Sequence, residues 1–400
     1  MLTQIELEQA VSMIQQRVFS WGTESIPLLE ALGHTLAKPV YARLDQPPFD
    51  RSPLDGYALR AEDTVGASRE TPIELKVCDK VYAGDSADIP VRPGQAVRIM
   101  TGAMLPKGCN CVIRQEDTDM GETVVSIYKE LKPGNNYVHQ GEDYKKDTLL
   151  IPGGTRLEAA HLGILAGAGL EKVEVQFRPR VAVLSTGSEI AEPGEELPAG
   201  KIYGANSILL AARLKTLGIT VSEMGQVEDS LDSMVDRMRN MLDGCELLIT
   251  TGGVSVGEKD LLHEAIDRLG AKKLFWGVKL KPGTPAMFAG YEGKYILCLS
   301  GNPFAAAATF ELLARPILAV LSDEEGLLPQ KERAVLVNDF GKKSPGRRFV
   351  RGCYKEGEVE LPAEHSSGLL ASMMGCNCLV DIPAGSKELK AGQEVNILIL

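Results

Sequence analysis

Three continuous apolar runs limit what this chain of 400 residues can fold into. They are V-A-V-L-S (181–185), L-L-I-T-T (247–251) and I-L-C-L-S (296–300). Such runs are typical of strands that are buried on both faces, because neither face of the sheet meets water. Each run is followed by a glycine-bearing loop and then by a helical pattern, for example over residues 207–217 and 303–322. This alternation predicts βαβ units and a parallel sheet over residues 180–325.

Other patterns predict the rest of the secondary structure. Apolar residues at helical spacing predict an amphipathic helix over residues 4–18 and a second helix over residues 157–170. Residues 46–56 hold three prolines and a glycine and are predicted to form an extended loop. Short alternating runs predict β structure over residues 71–155, and the same pattern predicts a small β domain over residues 332–400.

The composition argues against several classes of protein. The net charge of −11 argues against a general surface that binds nucleic acid or anionic membranes, because like charges repel. The N-terminus has no signal-peptide pattern, and no uncharged apolar run approaches bilayer-spanning length, so we expect a cytoplasmic protein. The eight cysteines form no C-x-x-C motif. Alternation along strands explains the C-x-C pairs at 109/111 and 376/378 more simply than half of a metal site, and we expect reduced structural thiols.

The loops that follow the three apolar runs are candidates for a binding site. Carboxyl ends of parallel strands meet at one edge of a sheet, where ligands commonly bind. The glycines of these loops allow close approach of the backbone to a ligand, and nearby hydroxyl groups could bind anionic oxygens. Glycines in such turns also occur for geometric reasons alone, but three such loops together favour a site. The residues concerned are Gly187, Gly252, Gly253, Gly301, Ser185, Thr186, Thr251 and Ser255.

Charged residues near these loops have two interpretations each. Glu189 and Asp260 could cap helices, or they could hold Mg²⁺, which pairs carboxylates with phosphates. The segment K-L-K-P-G-T-P (279–285) is either a solvated turn or a cationic contact for an anion. Residues alone therefore predict an acidic, magnesium-dependent protein that binds a phosphorylated small molecule.

Seven motifs occur in order along the chain and together resemble a known family. They are P-P-F-D-x-S-x-x-D-G-Y-A, R-I-M-T-G-A-x-x-P-x-G, G-E-D, S-T-G-x-E, T-G-G-V-S-V-G-E-x-D, K-P-G-x-P and G-N-P. Each motif is weak alone, but the set spans essentially the whole chain. It resembles the molybdopterin molybdenumtransferases, the MoeA and gephyrin E-domain family.

The resemblance implies a multidomain fold of α/β plus β type. It includes a three-layer α/β molybdopterin-binding domain with a parallel-dominated sheet, an inserted β domain, an N-terminal helical segment and a C-terminal β-barrel. The implied bounds are 1–45 with 145–178 for a helical linker and dimerisation domain, 46–144 for the inserted β domain, 179–326 for the α/β domain and 327–400 for the barrel.

The activity implied by the resemblance is the Mg²⁺-dependent insertion of molybdate into adenylated molybdopterin, with release of AMP. The family resemblance also implies a homodimer, with each site between the α/β domain of one subunit and the β domain of the other. A molybdopterin adenylyltransferase and molybdoenzymes are the protein partners that it suggests, and neither nucleic acid nor membrane is expected.

The resemblance also carries roles over to individual residues. The implied catalytic residues are Asp55, Thr101, Glu189 and Asp260. The implied metal ligands are Asp143, Glu189, Asp229 and Asp260. The implied cofactor-binding residues are Gly187, Gly252, Gly253, Ser255, Lys281, Pro282, Gly301, Asn302 and Pro303.

Several positions depart from the family pattern, and some of them replace cations. Y-V-H-Q (137–140) stands where arginines usually precede G-E-D, while Gly277 and Thr284 stand where lysines are common. The other departures are Ser188, G-A-N (204–206) and Ser300. The cations that could compensate are Arg51, Arg114, Lys259 and Lys279.

Three functional hypotheses follow from these observations. The first is a working molybdenum insertase, which the set of carboxylates favours. The second is a divergent paralogue that binds molybdopterin without insertion or inserts another oxyanion such as tungstate, which the missing cations favour. The third is a non-catalytic dimeric scaffold.

Overall fold

The computed structural model describes residues 1–255 and 261–400. These residues divide into two compact units. The first unit comprises residues 1–24 and 175–400, and the second comprises residues 25–174. The four-domain division implied by the family resemblance stays a prediction.

All but one of the α-helices in the described residues lie in the first unit. They are α1 (Leu7–Arg17), α2 (Ala159–Gly167, in the second unit), α3 (Ala205–Thr216), α4 (Leu231–Asp243), α5 (Leu262–Leu269), α6 (Pro303–Thr309) and α7 (Arg315–Ser322). A π-helical turn, Phe310–Ala314, joins α6 and α7 into one continuous helix.

The strands of the described residues are numbered in chain order. They are β1 (Leu2–Ile5), β2 (Thr23–Pro27), β3 (Val40–Tyr41), β4 (Gly56–Leu59), β5 (Ile73–Val81), β6 (Gln95–Ile99), β7 (Cys111–Arg114), β8 (Val124–Ile127), β9 (Leu149–Ile151), β10 (Lys172–Gln176), β11 (Arg180–Thr186), β12 (Ile190–Ala191), β13 (Ile202–Tyr203), β14 (Thr220–Val227), β15 (Leu247–Thr251), β16 (Lys272–Val278), β17 (Met287–Tyr291), β18 (Lys294–Leu299), β19 (Gln330–Leu336), β20 (Arg348–Lys355), β21 (Glu358–Glu360), β22 (Cys378–Ile382) and β23 (Glu394–Ile399).

The main sheet of the first unit is dominated by parallel pairs, as predicted. Its strand order is β1-β16-β17-β18-β15-β11-β14. Only β17 runs antiparallel to its neighbours β16 and β18, and the other four pairings are parallel. The three apolar runs of the sequence form β11, β15 and β18, which are direct neighbours in the sheet. Their carboxyl ends therefore lie side by side.

Alternate side chains of this sheet pack against helices on opposite faces. Val183 and Ile249 belong to a core with α1, α3 and the helix of residues 303–322. Leu184 and Leu248 belong to a second core with α4 and α5. Both faces of the central strands are thus buried, which explains their continuous apolar sequence. The predicted three-layer α/β architecture is confirmed.

The first residues of the chain differ from the prediction of a helix over 4–18. Leu2–Ile5 forms an edge strand parallel to β16, and α1 begins only at Leu7. The Glu6 amide donates to the Gln9 side chain across the start of the helix, which marks this boundary. Within the helix, Leu7, Ala10 and Ile14 are buried on one face, as the predicted spacing requires.

The helix of residues 303–322 is a core helix. It is long and apolar enough to cross a membrane, but 89% of its apolar window is buried inside the protein.

One carboxylate on this helix is also buried. Glu311 accepts from Arg213 at 2.6 Å and from Arg315 at 3.0 Å. Burial lowers the pKa of Arg315, and the neighbouring carboxylate opposes this effect.

The remaining sheets confirm the predicted β regions. In the first unit, β19-β21-β20-β22-β23 form a closed barrel, whose interior includes Val350, Val380 and Ile397. In the second unit, the largest sheet has the order β7-β4-β6-β5-β8. Its core includes Tyr57 and Val125, both fully buried.

We expect Glu311→Ala to destabilise the first unit by about 3 kcal/mol or more, because buried Arg315 would lose its charge partner. Trp21 and Trp276, the two tryptophans of the chain, both lie in this unit, so urea unfolding followed by their fluorescence measures it. The control is Glu264→Ala, which breaks an exposed pair with Arg268 and should cost about 0.5 kcal/mol or less. Equal effects of the two variants would contradict the assigned role of Glu311.

Candidate functional site

The three glycine loops at the ends of β11, β15 and β18 contact one another. The Gly252 amide donates to the Leu299 carbonyl at 3.1 Å, and the Thr186 hydroxyl reaches the Thr251 carbonyl at 3.4 Å. A Cβ atom on Gly301 would lie 3.5 Å from the Gly252 Cα. The structure therefore brings together the glycines that the sequence placed in one site.

Two of these glycines are required by the backbone. Gly252 and Gly253 have φ angles of +98° and +57°, which residues with a side chain rarely adopt. A Cβ atom on Gly252 would also lie 2.4 Å from the Thr186 carbonyl oxygen. Strand β15 and the loop after it thus approach β11 more closely than any other residue type allows.

Asn206 links two of the loops, which the sequence analysis did not predict. Its side-chain amide donates to the Thr251 hydroxyl at 2.9 Å and to the Gly301 carbonyl at 2.8 Å. Asn206 lies in the first turn of α3. The segment G-A-N was noted only as a departure from the family pattern, although an amide beside glycine loops is a signal for such a link.

Glu189 and Asp229 lie beside the first glycine loop. The Ser188 amide donates to the Asp229 carboxylate at 3.2 Å, and the Asp229 amide donates to the Ser188 hydroxyl at 3.1 Å. The Glu189 carboxylate folds back over Gly187, where a Cβ atom would lie 2.5 Å from it. Ser188, one of the departures, is thus part of the contact that positions Asp229.

These carboxylates fit Mg²⁺ bound through few protein ligands. Among the described residues, no group of three or more His, Cys, Asp or Glu side chains could hold a metal ion. Mg²⁺ commonly uses one or two carboxylates and takes its other ligands from water and substrate phosphates. Glu189 and Asp229 supply oxygen donors of that kind. Asp260 lies outside the described residues.

A cleft of about 540 Å³ extends from the glycine loops to the barrel. Ser255, Lys281, Pro282 and Asn302, four of the predicted binding residues, lie along it. Its other side is formed by barrel residues that the sequence analysis did not select. They are Arg348, Arg351, His365, Ser366 and Ser367.

Backbone hydrogen bonds fix the two sides of this cleft to each other. The Lys281 amide donates to the Arg347 carbonyl at 2.9 Å, and the Phe349 amide donates to the Lys281 carbonyl at 2.7 Å. The Phe304 amide donates to the Ser367 carbonyl at 3.0 Å. Because α6 begins at Pro303, the barrel is attached directly to the start of that helix.

Arg351 is the most unusual residue of the cleft. Its side chain is 1% exposed, and its guanidinium lies 4.3 Å from the centre of the Phe304 ring. Nη2 donates to the carbonyls of Glu364 and Ser366, both at 3.0 Å. Nε and Nη1 have no hydrogen-bond partner among the described residues. Burial lowers the pKa of Arg351, and the nearby Cys376 opposes this effect.

The cleft is therefore cationic and suited to an anion. A buried guanidinium with two unsatisfied donors is costly unless a ligand or a water molecule supplies acceptors. Lys281 and Arg348 line the same cleft, and neither forms an ion pair within the described residues. Within the part of the chain that the structure describes, the Arg348 side chain donates to the Ser344 hydroxyl at 3.2 Å. The cleft thus presents three cations together with serine hydroxyl groups.

Two of the cations proposed as compensation form ion pairs with carboxylates. Lys279 pairs with Glu6 at 2.9 Å, and Arg114 pairs with Asp117 at 3.2 Å. Lys259 lies outside the described residues, Arg51 belongs to the second unit, and their proposed role stays a prediction. Arg348 and Arg351 are cations of this cleft that were not predicted. Arg351 could have been selected from the sequence, because it is a charged residue among the apolar positions of a predicted strand.

Asp55 and Thr101, two predicted catalytic residues, are hydrogen-bonded in the second unit. The Thr101 hydroxyl and its backbone amide each donate to the same Asp55 oxygen at 2.7 Å. These bonds hold the pKa of the Asp55 carboxyl below its ordinary value, with the hydroxyl contributing most. Gly56 follows directly, and a Cβ atom there would lie 1.8 Å from the Ile113 carbonyl oxygen. Asp55 is therefore a fixed, ionised carboxylate at the start of β4.

The segment Y-V-H-Q hydrogen-bonds to acids of its own unit. The Tyr137 hydroxyl donates to Asp50 at 2.5 Å, and the Gln140 side chain donates to Asp45 at 2.8 Å. Burial and the Asp50 carboxylate raise the pKa of Tyr137. Asp143 is exposed nearby, with its amide donating to the Gln46 carbonyl at 2.9 Å. Neutral donors thus hold this loop in place of the family's arginines.

Gly277 is explained by the backbone of the main sheet. Its φ angle is +81°, and a Cβ atom would lie 2.5 Å from the Gln4 side-chain nitrogen. A lysine here would be strained by the backbone and crowded by the edge strand β1. The close approach of β1 and β16 therefore explains why glycine stands at this position.

Comparisons with known proteins agree over most of the chain. Residues 5–169 match the model of the MoeA N-terminal region (domain I and II). Residues 182–320 match a probable molybdopterin binding domain, and residues 333–400 match the MoeA C-terminal region (domain IV). The chain belongs to the MoeA family.

Individual MoeA-family proteins are similar over nearly their full length. A molybdopterin molybdenumtransferase of Staphylococcus epidermidis is 36% identical over 401 residues, which cover 99% of this chain and 96% of that protein. One from Staphylococcus aureus is 35% identical over 399 residues, with 99% and 95% covered. A MoeA crystal structure from Pyrococcus horikoshii has a TM-score of 0.81 at 32% identity and 99% coverage of both chains. The predicted family and fold class are confirmed.

We expect Thr101→Val to raise the pKa of Asp55 toward its ordinary value, because one of two donors to the carboxylate is removed. Because the pKa of Asp55 is lower in the folded protein than in the unfolded chain, its ionised carboxylate stabilises the fold at pH values above the unfolded-state pKa. This stabilisation is lost as the pH falls through the folded-state pKa. NMR titration of the aspartate carboxyl carbons measures the change. Asp119, which accepts from Ser126 instead, is the control and should titrate unchanged. An unaltered Asp55 titration would rule out the assigned hydrogen bonds.

Proposed function

We propose that this MoeA-family chain is a molybdopterin molybdenumtransferase of molybdenum cofactor biosynthesis. It inserts molybdate into adenylated molybdopterin in a Mg²⁺-dependent reaction that releases AMP. The observation that carries this proposal is the buried guanidinium of Arg351, whose Nε and Nη1 lack partners in the described chain. The cleft that contains it adjoins loops suited to a phosphorylated pterin. The name of the relatives, molybdopterin molybdenumtransferase, supports molybdopterin as the substrate class.

The oxyanion would bind at the barrel side of the cleft. Molybdate is a tetrahedral dianion and needs cations and donors on several sides. Lys281, Arg348 and Arg351 supply charge, and Ser366 and Ser367 line the same space. Each hydrogen bond to a charged group typically contributes about 1.5–3 kcal/mol. The cations of the cleft would thus compensate for the cations that are missing at Gly277 and Thr284.

The pterin substrate would bind at the glycine loops. Gly187, Gly252, Gly253 and Gly301 let the backbone approach the ligand without intervening side chains. The amides of Gly187 and Gly252 already donate to the Val227 and Leu299 carbonyls, so other amides of these loops would contact the anionic oxygens. Ser255, Pro282, Asn302 and Pro303 continue this surface toward the cleft. Asn206 keeps two of the loops together, so it acts by positioning them.

Mg²⁺ would be held by Glu189 and Asp229, with Asp260 and Asp143 as further proposed ligands. When bound, the ion neutralises the negative charge that develops on phosphate oxygens as AMP leaves. Asp55 stays ionised because Thr101 donates to it twice, so its role is that of an anionic acceptor and not a general acid. We propose a homodimer that combines these residues into complete sites.

Tungstate is the alternative oxyanion, since it has the same charge and shape as molybdate. The neutral Y-V-H-Q segment and Gly277 occupy positions where the family usually has cations, and this difference is the reason to test tungstate. A scaffold without catalysis is disfavoured, because it would not explain the two buried Arg351 donors that lack partners among the described residues. We further propose a cytoplasmic protein that receives its substrate from an adenylyltransferase and delivers cofactor to molybdoenzymes.

The test is AMP release from adenylated molybdopterin with Mg²⁺ and either molybdate or tungstate. We expect Asp55→Ala and Glu189→Ala to reduce molybdate-dependent release by about 10²-fold or more, since each removes a charge at the reacting groups. Asp236→Ala removes an exposed carboxylate on α4 and should keep full turnover. Circular dichroism and sedimentation should show an unchanged fold and dimer in all three variants.

The outcomes separate the hypotheses. Full turnover by either active-site variant would contradict the assignment of carboxylates. Pterin binding by the wild-type protein without AMP release would support the divergent paralogue. A wild-type protein that neither binds pterin nor releases AMP would contradict the proposed function altogether.

A further inference from the structure

Cys353 and Cys376 bring two thiol groups into contact in the barrel. Cys353 lies on β20, and Cys376 lies two residues before β22, which pairs with β20 in antiparallel register. The Cys353 thiol donates to the Cys376 sulfur across 3.8 Å. A disulfide bond joins sulfur atoms at about 2.05 Å, so closure needs an approach of roughly 1.8 Å. Rotation of an exposed side chain can supply most of that.

The backbone around the two sulfurs is fixed. The Asn377 amide donates to the Gly352 carbonyl at 3.0 Å, and the Tyr354 amide donates to the Asn377 side chain at 2.7 Å. The Asn377 side chain also donates to the Tyr354 carbonyl at 2.9 Å. These bonds lie directly beside both cysteines. The thiols are therefore held at short distance in the folded protein.

The two thiols differ in access to water. Cys353 is exposed, whereas Cys376 is half-buried beside an apolar cleft that Met373 and Leu379 also line. Burial and the neighbouring Cys353 raise the pKa of Cys376 to about 11. An oxidant in solution thus reaches Cys353 first, and Cys376 stands behind it as the second thiol. Cys111, Cys245, Cys298 and Cys378 are buried, and buried thiols react slowly.

We propose that Cys353 and Cys376 form a modification site that is oxidised by hydrogen peroxide to an intramolecular disulfide. The Cys353 sulfur attacks one peroxide oxygen, the O–O bond breaks, and a sulfenic acid and water form. The Cys376 sulfur then attacks the sulfenic sulfur and displaces a second water. Two thiols and one peroxide give one disulfide and two waters, so the thiols lose two electrons and the peroxide gains them. This inference is independent of the proposed catalytic activity.

The disulfide would tie the segment between β21 and β22 to β20. That segment carries the Glu364 and Ser366 carbonyls that accept from Arg351. It also carries the Ser367 carbonyl, which accepts from the Phe304 amide. A covalent bond at Cys376 therefore restrains the chain that forms one wall of the anion cleft, while reduction releases it.

The experiment uses the full-length protein, reduced first and then treated with hydrogen peroxide. Remaining thiols are blocked with N-ethylmaleimide in denaturant, and trypsin digestion without reductant precedes mass spectrometry. We expect peptide 352–355 linked to peptide 356–387, with a mass equal to their sum less two hydrogens plus one maleimide on Cys378, and with six of the eight cysteines alkylated. Dithiothreitol should restore all eight to alkylation.

Two variants make the assignment specific, because peptide 356–387 also contains Cys378. Cys378→Ala should still give the link. Cys376→Ser should abolish it and leave Cys353 as a sulfenic acid that dimedone traps. The proposal is overturned if Cys353 stays fully alkylatable after peroxide, if it links to Cys378, or if it forms only reducible dimers between chains.

Discussion

The burial of β11, β15 and β18 on both faces is the constraint on which the site depends. Three adjacent parallel strands must end at the same edge of the sheet, and their loops must then share a small volume. Only glycine fits at position 252, because a Cβ atom there would lie 2.4 Å from the Thr186 carbonyl oxygen. The same absence of side chains would let an anionic ligand approach the backbone of these loops.

Arg351 connects this sheet edge to the barrel. Its ring contact with Phe304 and its bonds to the Glu364 and Ser366 carbonyls join three parts of the first unit. Replacing a buried ionic group by apolar residues is often neutral or stabilising, so stability alone does not explain a buried arginine without a carboxylate. Two of its donors lack partners among the described residues, and an oxyanion would satisfy both charge and hydrogen bonding. One side chain thus takes part both in the contact between α6 and the barrel and in the proposed binding site.

Much of this arrangement could be predicted from the sequence, and the rest could not for physical reasons. The glycine loops were predicted because strand ends and periodicity are local signals. Strand Leu2–Ile5 was missed because four residues at a sheet edge have no pattern of their own. Arg348 and Arg351 were missed because they reach the loops only through tertiary packing of the barrel. The ion pair of Lys279 with Glu6 could not be predicted either, since the partners are 273 residues apart in the sequence.

X-ray data collected at the molybdenum absorption edge, from crystals of this protein soaked in molybdate, would test the central claim most directly. The account predicts an anomalous peak in the cleft lined by Lys281, Arg348 and Arg351, with oxygens within hydrogen-bond distance of Arg351 Nε or Nη1. The peak should be lost in Arg351→Met crystals. Molybdenum bound only elsewhere, with the Arg351 donors still unsatisfied, would contradict the account.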